Sequence, residues 1–317
     1  MTDSRYTEAA SKESDFDVRE YNQAVSRNEL IKEVLLRDDV RSLGFENKSI
    51  SYLEYNKIKK CISELSAESG WGEDEINLVP LDDAVLIPRQ IKTPEEIELL
   101  TEAEHIGDMA FDDILGILRP EMTELEVAAE IEYSMKRHGA EGLSFETIAA
   151  SGGHSSMPHA IPTEKKLEMG DFLTIDFGCI YKGYCSDMTR TVCIGKANDD
   201  QKKIYNIVLS AQLAVLDAVR PGMMCKDVDR IARDYINDQG YGDYFGHGLG
   251  HGVGLYIHES PAFNTRDTSI LSPNMIETDE PGIYLPGRFG VRIEDMILIT
   301  EDGAVSLAHS PKELIEL

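Results

Sequence analysis

The sequence predicts an α+β chain in two parts: a small α/β domain over residues 1–90, then a larger domain over residues 91–317 built from two similar halves. Three observations carry this prediction. First, Leu118 to Ala140 aligns on Val219 to Tyr241 at an offset of 101, with Arg119 on Arg220, Pro120 on Pro221, Met122 on Met223, Val127 on Val228 and Gly139 on Gly240. Five identities in 23 positions, with helical apolar spacing kept in both copies, read as duplication of a helix, turn, helix unit. Second, strand-like sequence follows each copy. Third, Pro80 and Pro88 punctuate a polar connection ahead of Thr93-Pro94-Glu95-Glu96. That tetrapeptide has the form of a helix cap, a proline in the first turn and acids near the positive helix end, so the boundary falls near residue 90.

Taken in order, residues 17–90 show a helical period from Asn28 to Leu36, a strand and turn around Leu43 to Ser51, and a second helix from Tyr52 to Leu65. In the larger domain the strand-like runs are Leu143 to Ala150 and Phe172 to Ile194 after the first helix pair. Tyr244 to His258 and Ile283 to Ile299 follow the second. Halves of this kind are expected to face one another across a shared sheet, with residues of both at a central cleft.

With 317 residues, 42% of them hydrophobic, the chain has ample material for a core. A net charge of −27 repels phosphate backbones and anionic lipid, which argues against nucleic acid and membrane partners. No stretch approaches the roughly 18 apolar residues of a membrane span, and the first 30 residues carry charges throughout. A cytoplasmic location is therefore expected. Five cysteines without a CxxC pair read as buried thiols, with neither a disulfide framework nor a thiolate zinc site.

Three segments carry chemistry. In LTIDFGCIYKGYCSDMTRT, Asp176 and Asp187 stand 11 residues apart around a Lys182-Gly183 turn, a hairpin pattern that brings both carboxylates to one end of a sheet. In FGHGLGHGVGLYIHESP, glycine occupies every second position from Gly246 to Gly254 around His247 and His251. Glycine there allows close backbone approach or positive φ angles and leaves the imidazoles unobstructed. Neither a phosphate-binding loop nor a HExxH zinc helix is present. In TDEPGIYLPGRFGVRIED, Glu280 precedes a Pro-Gly turn and Glu294 lies 14 residues later on the returning strand. Four carboxylates and one imidazole, Asp176, Asp187, His251, Glu280 and Glu294, match the charge of two divalent cations and suggest a Lewis-acidic hydrolytic site. Oxygen donors with one imidazole suit Mn²⁺, Co²⁺ or Fe²⁺ as well as Zn²⁺.

These segments resemble the M24 metallopeptidases of pita-bread fold, and within them the Xaa-Pro dipeptidases (prolidases) and Xaa-Pro aminopeptidases. The resemblance covers residues 91–317, with the family pattern GHGxGLxxHExP present as GHGVGLYIHESP. It implies two divalent metal ions, Mn²⁺ first, with Asp176 and Glu280 as terminal ligands, Asp187 and Glu294 as bridges and His251 completing the ligand set of the second ion. It further implies His159, His258 and Glu280 as catalytic, with His247, His258 and Arg292 binding substrate. The implied mechanism is attack of a metal-bridging hydroxide on a carbonyl polarised by metal and His258, with Glu280 moving the proton. Arg292 suits a substrate carboxylate, or pairs with a neighbouring acid.

The implied partners are short proline-containing peptides, and a homodimer is compatible with the resemblance. Residues 1–90 resemble the family's small creatinase-N-like domain in shortened form, beginning inside it. Asp279 and Glu277 depart from an expected apolar pattern and are expected to add negative charge near the metals. Dipeptidase and aminopeptidase share the ligand set. A metal-free binding protein and a creatinase-like hydrolase on the same fold are the alternatives from outside peptidase chemistry.

Overall fold

The computed structural model of the chain describes residues 1–70 and 76–317 in two units, Met1–Leu86 and Ile87–Leu317. The first contains α1 (Thr7–Glu13), α2 (Arg27–Arg37), β1 (Ser42–Phe45), α3 (Tyr52–Ser69) and β2 (Asn77–Pro80). Strands β1 and β2 pair in parallel, and Leu35, Ile62, Leu65 and Ile76 form a small core between helices and strands. Helix α1 has no buried residue, and the sequence pattern, read through apolar periodicity, does not reveal it.

The first α-helix of the second unit is α4 (Pro94–Leu115), where the capping chemistry appears as expected. Thr93 accepts from the Glu96 amide, Glu96 reaches back to the Thr93 amide, and Pro94 opens the first turn. Helix α5 (Glu124–Arg137) follows, then β3 (Gly142–Leu143), β4 (Ile148–Ser151), β5 (Phe172–Phe177), β6 (Cys179–Tyr181), β7 (Tyr184–Cys185) and β8 (Met188–Cys193). The second half repeats the plan with α6 (Asp199–Ala218) and α7 (Cys225–Asp238). It continues through β9 (Gly250–Gly252), β10 (Glu259–Phe263), β11 (Ile276–Asp279), β12 (Gly282–Leu285), β13 (Phe289–Arg292), β14 (Asp295–Ile299) and β15 (Ala304–Ser306).

The duplication is a structural one. Helix α7 starts and ends 101 residues after α5. Gly139 and Gly240, just beyond the two helices, both take positive φ (108° and 85°), the left-handed position that ends a helix most easily when it is glycine. The turn before each helix also matches: Thr123 bridges Lys166, and Met224 bridges Ile270. Each half has its own core. Leu173, Ile175 and Phe177 of β5 pack on the first helix pair, whereas Ile283, Val291 and Ile297 pack with α6 and α7.

Two expectations are corrected here. The halves do not share one sheet: β4-β5-β8 and β10-β9-β11-β14-β15 are separate sheets, joined by an isolated bridge between Thr189 and Glu294. Nor does a turn follow Glu280 at Pro281-Gly282, because Gly282 is already the first residue of β12 and the chain reverses at residues 286–288. The strand therefore passes from one sheet to another at residues 280–281 and returns at 293–294, and these crossing points carry the two glutamates. Tyr244 to His258 is strand only over β9. Among the described residues no helix is long and apolar enough to cross a membrane.

Candidate metal centre

Strand register explains why the acids converge. In β5 the side chains alternate, so Leu173, Ile175 and Phe177 enter the helix-side core and Thr174 and Asp176 turn to the opposite face. Asp176 lies opposite Thr189 of β8, and Asp187 immediately precedes that strand, so both carboxylates reach the same sheet end. The expected Lys182-Gly183 turn is present as the tip of a second, smaller hairpin, β6-β7. Both of its residues have positive φ, 46° and 85°, the geometry a two-residue hairpin loop requires. From the other half, Asp279 pairs with Asp295, which sets Glu280 and Glu294 side by side at the end of β11-β14.

Glycines in the 246–254 segment act through close approach. None of them has positive φ, so that part of the expectation does not hold. A Cβ on Gly250 would lie 1.9 Å from the Thr278 carbonyl oxygen, so only glycine lets β9 pack this tightly on β11. The result is that His251 sits where its amide donates to Thr278 Oγ1 at 3.0 Å, while the same hydroxyl donates to Glu280 Oε1 at 3.2 Å. Gly250→Ala is expected to cost about 1–3 kcal/mol through overpacking and to weaken divalent metal binding, checked by urea denaturation and Mn²⁺ titration.

His251 Nε2 lies 3.4 Å from Asp187 and 3.6 Å from Glu280. Its Nδ1 donates to the Gly252 carbonyl at 3.1 Å, which leaves the Nε2 lone pair directed at the acids, the tautomer a metal ligand needs. Burial pushes the His251 imidazole down to about 4, so it is neutral at neutral pH. Ligand atoms of Asp187, His251 and Glu294 lie within 4.8 Å of one another, a group able to hold a metal ion. Asp176 Oδ1 is buried with no hydrogen-bond partner. Burial and mutual repulsion push Asp187 and Glu294 well above the usual carboxylate range, and burial, opposed by Arg292, pushes Glu280 up to about 8. Converging acids that raise one another, an unsatisfied buried oxygen and an imidazole lone pair aimed at them fit a divalent metal pair.

Around them lies a cavity of about 620 Å³ lined by all nine residues named from the sequence, His159, His247, His258 and Arg292 included. His258 stacks edge-on to His251, ring centres 4.4 Å apart. His247 has both ring nitrogens engaged, with the Gly248 carbonyl at 2.7 Å and the Tyr284 hydroxyl at 2.9 Å, and burial holds it neutral, down to about 4. Arg292 is buried and pairs with Asp176 at 2.5 Å. It also donates to Thr189 Oγ1, the Tyr284 hydroxyl and the Pro158 carbonyl.

The residue patterns did not single out Thr189, Tyr284, Thr278 or Glu104. Thr189 Oγ1 donates to Glu294 Oε2 at 2.5 Å, and buried Glu104 accepts from the Asp187 amide at 3.4 Å. Tyr284 is legible only through its glycines, because a Cβ on Gly282 or Gly290 would strike its ring. Asp279 and Glu277 are both fully buried without a hydrogen-bond partner, and burial pushes both carboxyls above their usual range, opposed by Lys92 at Glu277 and by Lys312 at Asp279, which works against the negative charge expected of them.

Residues 98–301 match the model of metallopeptidase family M24, and residues 1–72 match the creatinase/prolidase N-terminal domain. The chain belongs to metallopeptidase family M24. Among M24 relatives, the Xaa-Pro dipeptidase of Pyrococcus furiosus is 41% identical over 97% of this chain and 83% of its own length. The Xaa-Pro dipeptidase structure from Bacillus anthracis superposes with a TM-score of 0.93 at 42% identity, covering 99% of this chain and 85% of that one. An X-Pro aminopeptidase structure from Thermotoga maritima gives a TM-score of 0.91 at 38% identity, covering 100% and 86%. The pita-bread fold of the M24 peptidases is therefore the fold of the second unit.

Proposed function

We propose that this protein is a cytoplasmic Xaa-Pro dipeptidase working with two divalent metal ions, Mn²⁺ foremost. The reading takes residues 91–317 as the catalytic domain and residues 1–90 as the smaller domain. The observation that carries it is the convergence of Asp187, Glu280 and Glu294 on His251, with Asp176 lining the same cavity, walled by His159 and His258. Those five residues would hold the metals. Bound there, the ions supply Lewis acidity that polarises a peptide carbonyl and makes a water acidic.

The chain's own residues do the rest. Glu280 accepts the proton of the attacking water and delivers it to the departing proline nitrogen. His258, exposed to the cavity and neutral because burial lowers it, donates a hydrogen bond to the scissile carbonyl oxygen, with His159 on the neighbouring wall. His247, locked between Gly248 and Tyr284, shapes the proline pocket with its ring face.

Arg292 orients Asp176, since four of its five N–H donors are spent on Asp176, Thr189, Tyr284 and Pro158. Arg266 is the cavity guanidinium left for a substrate carboxylate: it is exposed and has no acidic partner among the described residues. A dipeptide presents its carboxylate within reach of such a group, whereas a longer peptide does not. Xaa-Pro dipeptides assayed against Xaa-Pro-Xaa tripeptides with added Mn²⁺ test this. Dipeptides are expected to be the better substrates, and Arg266→Ala is expected to raise KM for dipeptides about tenfold with little effect on tripeptides. Preference for tripeptides would make the protein an aminopeptidase, and no turnover of either with any divalent metal would overturn the enzyme reading.

A further inference from the structure

Arg190 lies behind the metal centre, 1% exposed, and uses every N–H it has. Nη1 donates to the Thr189 carbonyl at 3.0 Å and the Glu294 carbonyl at 2.6 Å. Nη2 donates to Asp295 Oδ1 at 2.8 Å and the Ser310 carbonyl at 2.9 Å, and Nε to the Pro311 carbonyl at 3.1 Å. Three stretches of chain distant in sequence, β8, the 294–295 crossing and the segment at 310–311, therefore meet on one planar fork. Asp295 offsets the charge, supported by Lys312 and by Ser306 at 2.9 Å.

The site of this fork matters. Thr189 and Glu294 form the isolated bridge joining the two sheets: the Glu294 amide donates to the Thr189 carbonyl at 3.1 Å, and the Thr189 hydroxyl donates to the Glu294 carboxylate. The same bridge sets where the Glu294 side chain starts, two residues of chain from Asp187 on the β8 side. Thr191 adds a side-chain link to the Arg292 main chain, and Arg190 grips both carbonyls of the bridge from behind.

We propose that Arg190 is a positioning residue for the metal centre, clamping the main chain that carries Glu294 against β8 and against Ser310-Pro311 so that the Glu294 carboxylate stays beside Asp187. The proposal rests on the reading of Glu294 as a metal ligand. Lysine cannot replace it, since three donors on a point charge do not serve the five acceptors that the guanidinium fork reaches.

The test is isothermal titration of the chelator-stripped full chain with Mn²⁺, alongside thermal melts of the metal-free proteins. Arg190→Lys is expected to bind Mn²⁺ about 10- to 100-fold more weakly than the wild type, the range for residues that orient ligands from behind. Val127→Ala, a core truncation on α5 at a side chain that makes none of the clamp's hydrogen bonds, is expected to lower the melting temperature while binding Mn²⁺ like the wild type. That contrast separates positioning from loss of stability. Should Arg190→Lys fail to fold, Asp295→Asn removes the anion that orients the guanidinium and is expected to weaken binding in the same direction by a smaller factor. Wild-type affinity in either folded variant overturns the proposal. If the wild type binds Mn²⁺ and loses it on Glu294→Gln, only the role of Arg190 is then at fault; if the wild type binds no divalent metal, the metal-centre reading falls and this inference with it.

Discussion

Glu280→Gln is expected to lower kcat for Xaa-Pro hydrolysis by about 10²- to 10⁴-fold, the contribution of a positioned general acid–base group. Glutamine keeps the side-chain shape and the hydrogen bond from Thr278, so the fold and the remaining ligands stay in place. What is lost is a carboxylate that accepts a proton and returns it. In the metal-free protein, burial and the nearby Asp176 charge push that carboxyl up to about 8, against the pull of Arg292. Steady-state rates at saturating Mn²⁺ check this, with metal content measured on the same samples. A variant that keeps its metal and its kcat would remove Glu280 from the proton path.

The second large effect is on stability. Glu280, Asp187 and Glu294 all have folded-state pKa values raised above their ordinary ones, chiefly by burial. A raised carboxyl contributes stability that is complete below its unfolded pKa and is lost as pH rises through the folded one. For Glu280 that window runs from 4.5 to about 8. His247 and His251 act in the opposite sense, since burial lowers both from 6.5 to about 4 and the metal-free fold loses stability as pH falls through that range. As pH rises past 6.5 the histidines become neutral in both states, and the raised carboxyls pull stability down.

The melting temperature of the chelator-stripped protein is therefore expected to fall between pH 6.5 and pH 8. Mn²⁺ should reverse the fall. Each site filled at 100 times its Kd adds about 2.7 kcal/mol, or roughly 5–10 °C for a domain of this size. A flat melting temperature across that interval, unchanged by Mn²⁺, would contradict the reading of these carboxyls as repelling metal ligands. The same physics gives metal-free Asp187→Asn a higher melting temperature than the wild type at pH 8, so the acids that bind metal cost stability without it.

Much of the site was legible because its residue types are costly anywhere else. Acids in strand-like sequence, and glycine at every second position around two histidines, make poor structure unless something needs them there. Thr93 to Glu96 is legible for a related reason, since a capping box satisfies its own amides locally. The duplicated turn is readable because Gly139 and Gly240 occupy a backbone region that glycine enters most easily.

Other features are settled by neighbours remote in sequence. The Pro281-Gly282 pair resembles a turn by local rules, yet the chain there runs straight on into β12. Asp279 and Glu277 are charged residues by type, yet both are fully buried, and that burial, which raises their carboxyls, depends on the strands stacked over them. Thr189, Tyr284 and Arg190 are unremarkable residues whose work follows from partners roughly 100 residues or more away for Thr189 and Arg190, and from two flanking glycines for Tyr284.

By itself, the sequence determined the chemical inventory: which carboxylates and imidazoles exist, that they lie in two related halves, and that glycine clears the space around His251. The tertiary structure alone decided their charge states, the tautomer of His251, the commitment of Arg292 to Asp176 and the joining of two sheets at Thr189 and Glu294. Residue type sets what a side chain can do, whereas protonation and orientation depend on the dielectric and the partners around it, and those exist only once distant segments have packed.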